Sequence, residues 1–304
     1  MKQSALKALA RILCLALALC MLPAVPPAAA AEPKKVPQTQ AMVTGKTVYK
    51  NKKGAVDASN AAEGYVLVSY TGGKNVRIKV QIKRADGTTY TYNLNNKGRA
   101  EVLPLTEGSG RYTVKIYENT TGTKYATTYS CTFDVALRDE LVPFLYANQY
   151  VNFTKDSETV KKAAELVKGR TGDFDKMLAI YDFVVGTFRY DYDKAKTVQS
   201  GYLPVVDDTL RTKTGICFDY AAVMTAMLRS QGIPCKLVIG YAGTVYHAWI
   251  SVYLEGVGWV DKAIYFDGYV WKRLDPTFAS TGSRSASINK YIATDANYSQ
   301  KYAY

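Results

Sequence analysis

The sequence predicts an α+β domain preceded by a small all-β one. Three observations carry this. From Met42 to about Ala136, apolar and aromatic residues alternate with polar ones between glycine- and asparagine-rich turns, the period of half-buried strands. After residue 137 the apolar spacing becomes helical, and it remains so to Gln231. Strand patterns return from Lys236. Helices first and strands afterwards, rather than the two in alternation, indicate α+β architecture.

The chain has 304 residues, 48% of them hydrophobic and 21% charged, which is enough for two domains with sizeable cores and an ordinary solvated surface. Residues 1–31 read as a secretory signal peptide. Lys2, Lys7 and Arg11 form a basic start, Ile12 to Leu22 an apolar run, and Ala28 to Ala31 small-residue cleavage sites. The run is too short to span a bilayer well. An exported chain with no transmembrane helix after cleavage is therefore expected, secreted or associated with the cell envelope. Residues 32–41 read as a tether. Cleavage would leave Cys131, Cys217 and Cys235. An odd number leaves at least one thiol unpaired, with pairing of Cys131 and Cys235 open.

In residues 42–136 the strand patterns are Tyr65 to Tyr70, Val76 to Lys83, Thr88 to Tyr92 and Arg111 to Tyr117. Gly72-Gly73, Asp86-Gly87, Asn95-Asn96 and Gly108 supply hairpin turns at the spacing of a small β-sandwich. This part is strongly basic. Residues 32–136 hold 16 basic against 8 acidic side chains, whereas residues 137–304 hold 20 against 18. The excess reads either as a solvated cationic face or as attraction to an anionic envelope polymer or membrane surface. No nucleic-acid motif is present, and nucleic acid is not an expected partner.

In residues 137–304, Asp156 can cap a helix with the stripe Val160, Ala163, Ala164 and Val167, stopped by Gly169. Asp173 can cap a second, with Phe174, Met177, Leu178, Tyr181, Val185 and Phe188 on one face. A third runs from Cys217 to Gln231 and stops at Gly232. Strands are expected over Lys236 to Tyr241, His247 to Leu254 and Tyr269 to Leu274.

His247 is the sole histidine, which argues against the usual zinc and haem sites, and no metal or cofactor is expected. Cys217 stands in Gly215-Ile216-Cys217-Phe218-Asp219-Tyr220-Ala221, where a helix begins. A thiol there is stabilised as thiolate by the unsatisfied N–H groups and the dipole, and the same groups can bind an oxyanion. By itself a cysteine is more readily a small buried hydrophobe, and a lone histidine is as readily a satisfied core residue. Asp219 in the first turn reads as structural. Asp261, Asp267 and Asp275 are the carboxylates that could orient the imidazole, with Asp275 at the end of a strand that could pair beside the histidine strand. Cys, His, Asp in chain order fits a thiolate–imidazole–carboxylate triad. No second oxyanion donor is identifiable.

Gly215 to Ala221, then Leu228 to Pro234, Gly240-Tyr241, His247-Ala-Trp249, Gly258-Trp259 and Asp275-Pro-Thr277 resemble the core of the bacterial transglutaminase-like superfamily. The resemblance covers residues 170–278. It implies a papain-like, transglutaminase-like α+β fold, with Cys217 as nucleophile, His247 as base and acid, and Asp275 as orienter, Asp261 being the alternative. The preceding domain resembles the Ig-like modules attached to exported enzymes. Trp249 and Trp259 read as core and cleft wall, and Cys235 as packing. The implied function is an exported thiol enzyme acting on amides through a Cys acyl-enzyme, with a peptide or cell-wall stem peptide as substrate. Amine transfer with protein cross-linking, or a non-catalytic peptide-binding module, are the alternatives. The segments Ala242 to Tyr246 and Asp261 to Lys272 are short for a deep tunnel, although Tyr265, Phe266, Tyr269 and Trp271 could form one aromatic wall. Hydrolysis is expected over transfer.

Overall fold

The basic N-terminal alternation folds into two antiparallel four-stranded sheets. One has the order β1 (Val48–Lys50), β2 (Gly54–Asp57), β3 (Tyr65–Tyr70), β6 (Glu101–Pro104). The other has the order β5 (Thr89–Leu94), β4 (Ile78–Arg84), β7 (Gly110–Thr121), β8 (Lys124–Val135). Period-two patterning sends Val56, Val66 and Val68 of the first sheet, and Ile78, Val80, Ile82, Val114 and Ile116 of the second, into one core. The computed structural model describes residues 44–242, 244–266, 271–272 and 298–304, and side chains over 44–241, 244–260 and 299–304. The expected signal peptide and tether, together with Asp267 and Asp275, lie outside the described residues. So do the side chains of Asp261, Tyr265, Phe266, Tyr269 and Trp271.

Helices follow the strands. The first, α1 (Glu158–Leu166), starts after Ser157 rather than Asp156. Its early donors are satisfied from a distance: Asp207 Oδ1 accepts from Thr159 N–H at 2.9 Å and from its hydroxyl at 2.7 Å. Next comes α2 (Asp173–Thr187), with Asp173 as its first residue rather than its cap and with Met177, Ile180, Tyr181 and Val184 buried. Two short helices, α3 (Tyr192–Thr197) and α4 (Val206–Thr212), precede α5 (Cys217–Ser230). The excursion through α3 and α4 is closed by a two-residue parallel ladder, in which β9 (Arg189–Tyr190) pairs with β10 (Thr214–Gly215).

A five-stranded sheet completes the α+β part, in the order β14 (Trp271–Lys272), β13 (Gly258–Phe266), β12 (Val245–Leu254), β11 (Cys235–Ala242), β15 (Tyr298–Ala303). Its described pairings are all antiparallel. Helix α5 is buried along its length from Asp219 to Ser230, as expected of a helix covered on every side. It packs on β11 and β12 and under α1, α2 and α4. Arg229 on this helix is fully buried. Its guanidinium donates to the backbone oxygens of Cys235 (2.7 Å), Tyr146 (2.7 Å) and Tyr304 (2.6 Å). One side chain thereby ties the helix, the β11 start, the 142–153 connection and the last described strand together.

Both parts belong to one compact unit. Tyr90 and Tyr92 of β5 pack edge-on against Tyr304, which stacks on Tyr150 at 4.0 Å. Arg138 forks onto Glu63 with two 2.8 Å bonds. Among the described residues no helix is long and apolar enough to cross a membrane.

Candidate active site

Cys217 is the first residue of α5, and the turn before it is held by Asp219. The Asp219 carboxylate is fully buried and reaches back to accept the Ile216 N–H at 2.8 Å, the N3-to-cap half of a capping box. It also binds Lys194 Nζ at 2.7 Å and the Tyr202 hydroxyl, which in turn contacts Lys194 at 2.7 Å. Gly215 owes its place to this carboxylate and not to a special backbone angle. A Cβ there would stand 2.6 Å from Asp219 Cβ.

His247 lies on β12, directly opposite Gly240 of β11. A Cβ on Gly240 would meet the Ser299 carbonyl at 2.1 Å and Trp249 Cη2 at 2.8 Å, so only glycine lets β15 and Trp249 close over this point. Trp249 is buried and stacks near His247, ring centroids 6.3 Å apart. The register brings the next residue onto the thiol: Sγ of Cys217 accepts from the N–H of Ala248 and of Phe218. A third contact comes from Tyr190. Its hydroxyl accepts from the Cys217 N–H and donates toward Sγ. The β9–β10 ladder makes this possible, because it pairs Tyr190 with Gly215, two residues before the nucleophile. Tyr190 is the group that sequence reasoning missed. Its only signal was an aromatic ending a helix-to-strand junction, 27 residues upstream of Cys217.

The electrostatics differ from the sequence expectation. Burial pushes the Cys217 thiol above its usual value, outweighing the lowering by the Ala248 and Phe218 N–H groups and Tyr190. The expected thiolate-stabilising effect of the helix terminus does not prevail. Burial pushes His247 down to about 4. Burial thus disfavours the charged form of both side chains. Cys131 and Cys235 are separate and free, each pushed up by burial to about 11. They do not form a disulfide.

Cys217, His247 and Tyr190 line one cleft of about 650 Å³. One side is aromatic, with Tyr150, Tyr202, Tyr246 and Tyr302, and the N-terminal sheet adds Lys79, Thr91 and Asn93. Trp259 is not a cleft wall. It packs on Phe144 and Tyr253, with Lys236 Nζ 3.8 Å over its ring. Among the described residues no cluster of three or more metal-ligating side chains occurs. Asp275 lies outside the described residues, and of Asp261 only its place on β13 is described, so both stay candidates for the third member.

Residues 160–276 match the model of the transglutaminase-like superfamily. This segment is a transglutaminase-like domain. The chain is 26% identical over 189 residues to the uncharacterized protein YebA of Bacillus subtilis (strain 168), 54% of this chain and 25% of that one. It is 29% identical over 106 residues to the kyphoscoliosis peptidase of Mus musculus, 31% of this chain and 16% of that one. It is 28% identical over 109 residues to a protein-glutamine gamma-glutamyltransferase of Pseudomonas aeruginosa, 31% of this chain and 14% of that one. The chain spans a quarter or less of each of these relatives. The transglutaminase-like domain contains Tyr190, Cys217, His247 and Asp275, whereas the cleft residues Lys79, Thr91 and Asn93 precede it.

Proposed function

We propose that the chain is an exported thiol enzyme that hydrolyses amide bonds in peptides or cell-wall stem peptides through an acyl-enzyme on Cys217. The observation that carries this is the convergence on Cys217 Sγ of the helix start, the strand after His247 and the Tyr190 hydroxyl. Sγ attacks the amide carbonyl carbon while His247 removes the thiol proton, so that attack and deprotonation are coupled rather than starting from a preformed ion pair. The oxyanion that forms receives the Cys217 N–H and the Tyr190 O–H. Collapse breaks the C–N bond, and the amine leaves with the proton held by His247. Water, deprotonated by His247, then cleaves the thioester to acid and regenerates the thiol. Asp275 orients the imidazole in this reading.

Amine in place of water would give transfer, a reading favoured by the similarity to the gamma-glutamyltransferase. The openness of the cleft toward Val245 and Tyr246, both exposed, favours water. Intact-mass detection of an acyl adduct on Cys217 after incubation with candidate peptides tests the proposal. An adduct on the wild type that is absent from Cys217→Ala supports it. No adduct and no turnover with any peptide or wall fragment sinks it.

A further inference from the structure

We propose that the outer face of the β5–β4–β7–β8 sheet guides an acidic segment of a peptide substrate into the Cys217 cleft, with Lys79, Lys83 and Lys115 as its contacts. This rests on the amide-cleaving reading above and names the substrate class.

The cleft is shared between the two parts of the chain. Lys79, Thr91 and Asn93 lie on the N-terminal sheet, yet they line the same cavity as Cys217 and His247. They belong to the outward set of their strands, since Ile78, Val80 and Ile82 point into the core and Lys79, Gln81 and Lys83 alternate with them. The register extends the face. Gln81 pairs with Thr91 on one side and with Lys115 on the other. Lys115 therefore sits level with the midpoint between Lys79 and Lys83. At about 3.3 Å per residue those two lysines are roughly 13 Å apart along the strand, so the three cations recur at the two-residue repeat of an extended peptide.

The chemistry of the face is one-signed. Lys83 and Lys115 are exposed, Lys79 is half-buried, and none of the three joins an ion pair among the described residues. On the outward positions of these strands the described carboxylate is Asp134, and Arg111 engages it at 3.0 Å. Glu118 points inward, bound by Lys53 and Lys74. No aspartate or glutamate lines the described cleft. Thr89, Thr91 and Thr113 add hydroxyls that can meet a peptide backbone. A peptide with alternate acidic residues would gain three charge-assisted contacts on the way to the thiol and meet no repulsion inside. Continuity with the nucleophile favours the substrate itself over an envelope polymer as occupant.

The test uses the full chain. Fluorescence anisotropy of Cys217→Ala measures binding of a labelled neutral peptide and of the same peptide with three alternate glutamates added on either flank. Tighter binding of one acid-flanked form, by about tenfold at low salt and shrinking as screening shortens, is the expected result. Lys79→Gln/Lys83→Gln/Lys115→Gln should bring the two peptides to parity. Lys83→Glu/Lys115→Glu serves if the triple variant folds poorly, and should reverse the preference. No preference, or one that survives these substitutions, overturns the proposal. So does tight binding of an anionic polysaccharide that acid-flanked peptide fails to displace. Because the binding arm needs no turnover, an inactive wild type that keeps the preference would count against the catalytic reading alone.

Discussion

Lys194 Nζ lies 2.7 Å from the carboxylate of Asp219, a residue fully buried in the first turn of the nucleophile helix. The pair joins α3, whose flank walls the cleft, to the turn that presents Cys217. Asp219 also accepts the Ile216 N–H and the Tyr202 hydroxyl. Removing the carboxylate takes the acceptor from the Ile216 N–H and the anion from Lys194, whose side chain is 30% exposed and still meets Tyr202. Asp219→Ala should destabilise the protein by about 1–3 kcal/mol, the cost of a buried donor left unpaired. Lys194→Met should cost at least as much, because it leaves a fully buried carboxylate with only the Tyr202 hydroxyl and the Ile216 N–H. Urea unfolding measures both, and a loss below about 1 kcal/mol for Asp219→Ala would contradict the role assigned to it.

Tyr190 touches both the N–H and the sulfur of Cys217. Tyr190→Phe keeps the ring, which packs edge-on to Tyr192 at 5.0 Å, and removes only the hydroxyl. Loss of one oxyanion donor should lower kcat roughly 100-fold. KM and the unfolding midpoint should change little. An unchanged kcat would remove Tyr190 from the reaction.

Burial, rather than the helix terminus, dominates the Cys217 thiol. Iodoacetamide should label it faster than Cys131 or Cys235, because it opens on the cleft while they are buried. Its rate should climb with pH through 9 with no plateau below 8. A plateau from acidic pH onward would instead reveal a preformed thiolate–imidazolium pair.

Much of this site is legible in the sequence because its parts are local. Gly215, Ile216 and Cys217 lie within the motif that starts α5, and His247 opens a strand whose alternation marks it. The strands over Tyr65 to Tyr70 and the helix from Cys217 were readable for the same reason, each having a clear period and glycine stops. What escaped is non-local. Tyr190 reaches Cys217 through a two-residue parallel ladder that no periodicity announces. Lys124–Val135 hides its alternation because half of β8 is polar and exposed, and β1, β2 and β6 are too short to show a period. The place of Lys79 in the cleft required knowing that β4 meets the transglutaminase-like domain. Composition located the charge in that half but not on that face.

His247 is buried neutral, with burial taking it from 6.5 to about 4. As pH falls from 7, the unfolded chain takes up a proton before the folded one does. Stability should therefore be lost between about pH 6.5 and 4 and be flat above, by at most about 3 kcal/mol from this residue. Urea unfolding at pH 7.5, 6 and 5 should show that slope in the wild type and a shallower one in His247→Gln. Equal slopes would mean that His247 holds its proton equally well folded and unfolded, and a steeper loss in His247→Gln would mean that a carboxylate from Asp275 or Asp261 keeps it charged in the folded state.

The fate of the acyl-enzyme follows from access to the thioester. Transfer requires a passage that admits an amine and holds back water. Here the rim beside His247 is exposed at Val245 and Tyr246, and the described wall opposite is a sheet face carrying Lys79, Thr91 and Asn93, all polar. In the hydrolytic reading proposed above, such a wall should be wetted, so that water reaches the thioester before an amine does. A cleavable peptide supplied with a millimolar primary amine should yield mostly free acid by mass spectrometry. Replacing Thr91 and Asn93 by leucines should dry that wall and raise the amide share, because hydroxyl and amide groups that hold water are lost while Cys217, His247 and Tyr190 are untouched. Predominant amide from the wild type would place the chain with the transferases and make its similarity to the gamma-glutamyltransferase the better guide.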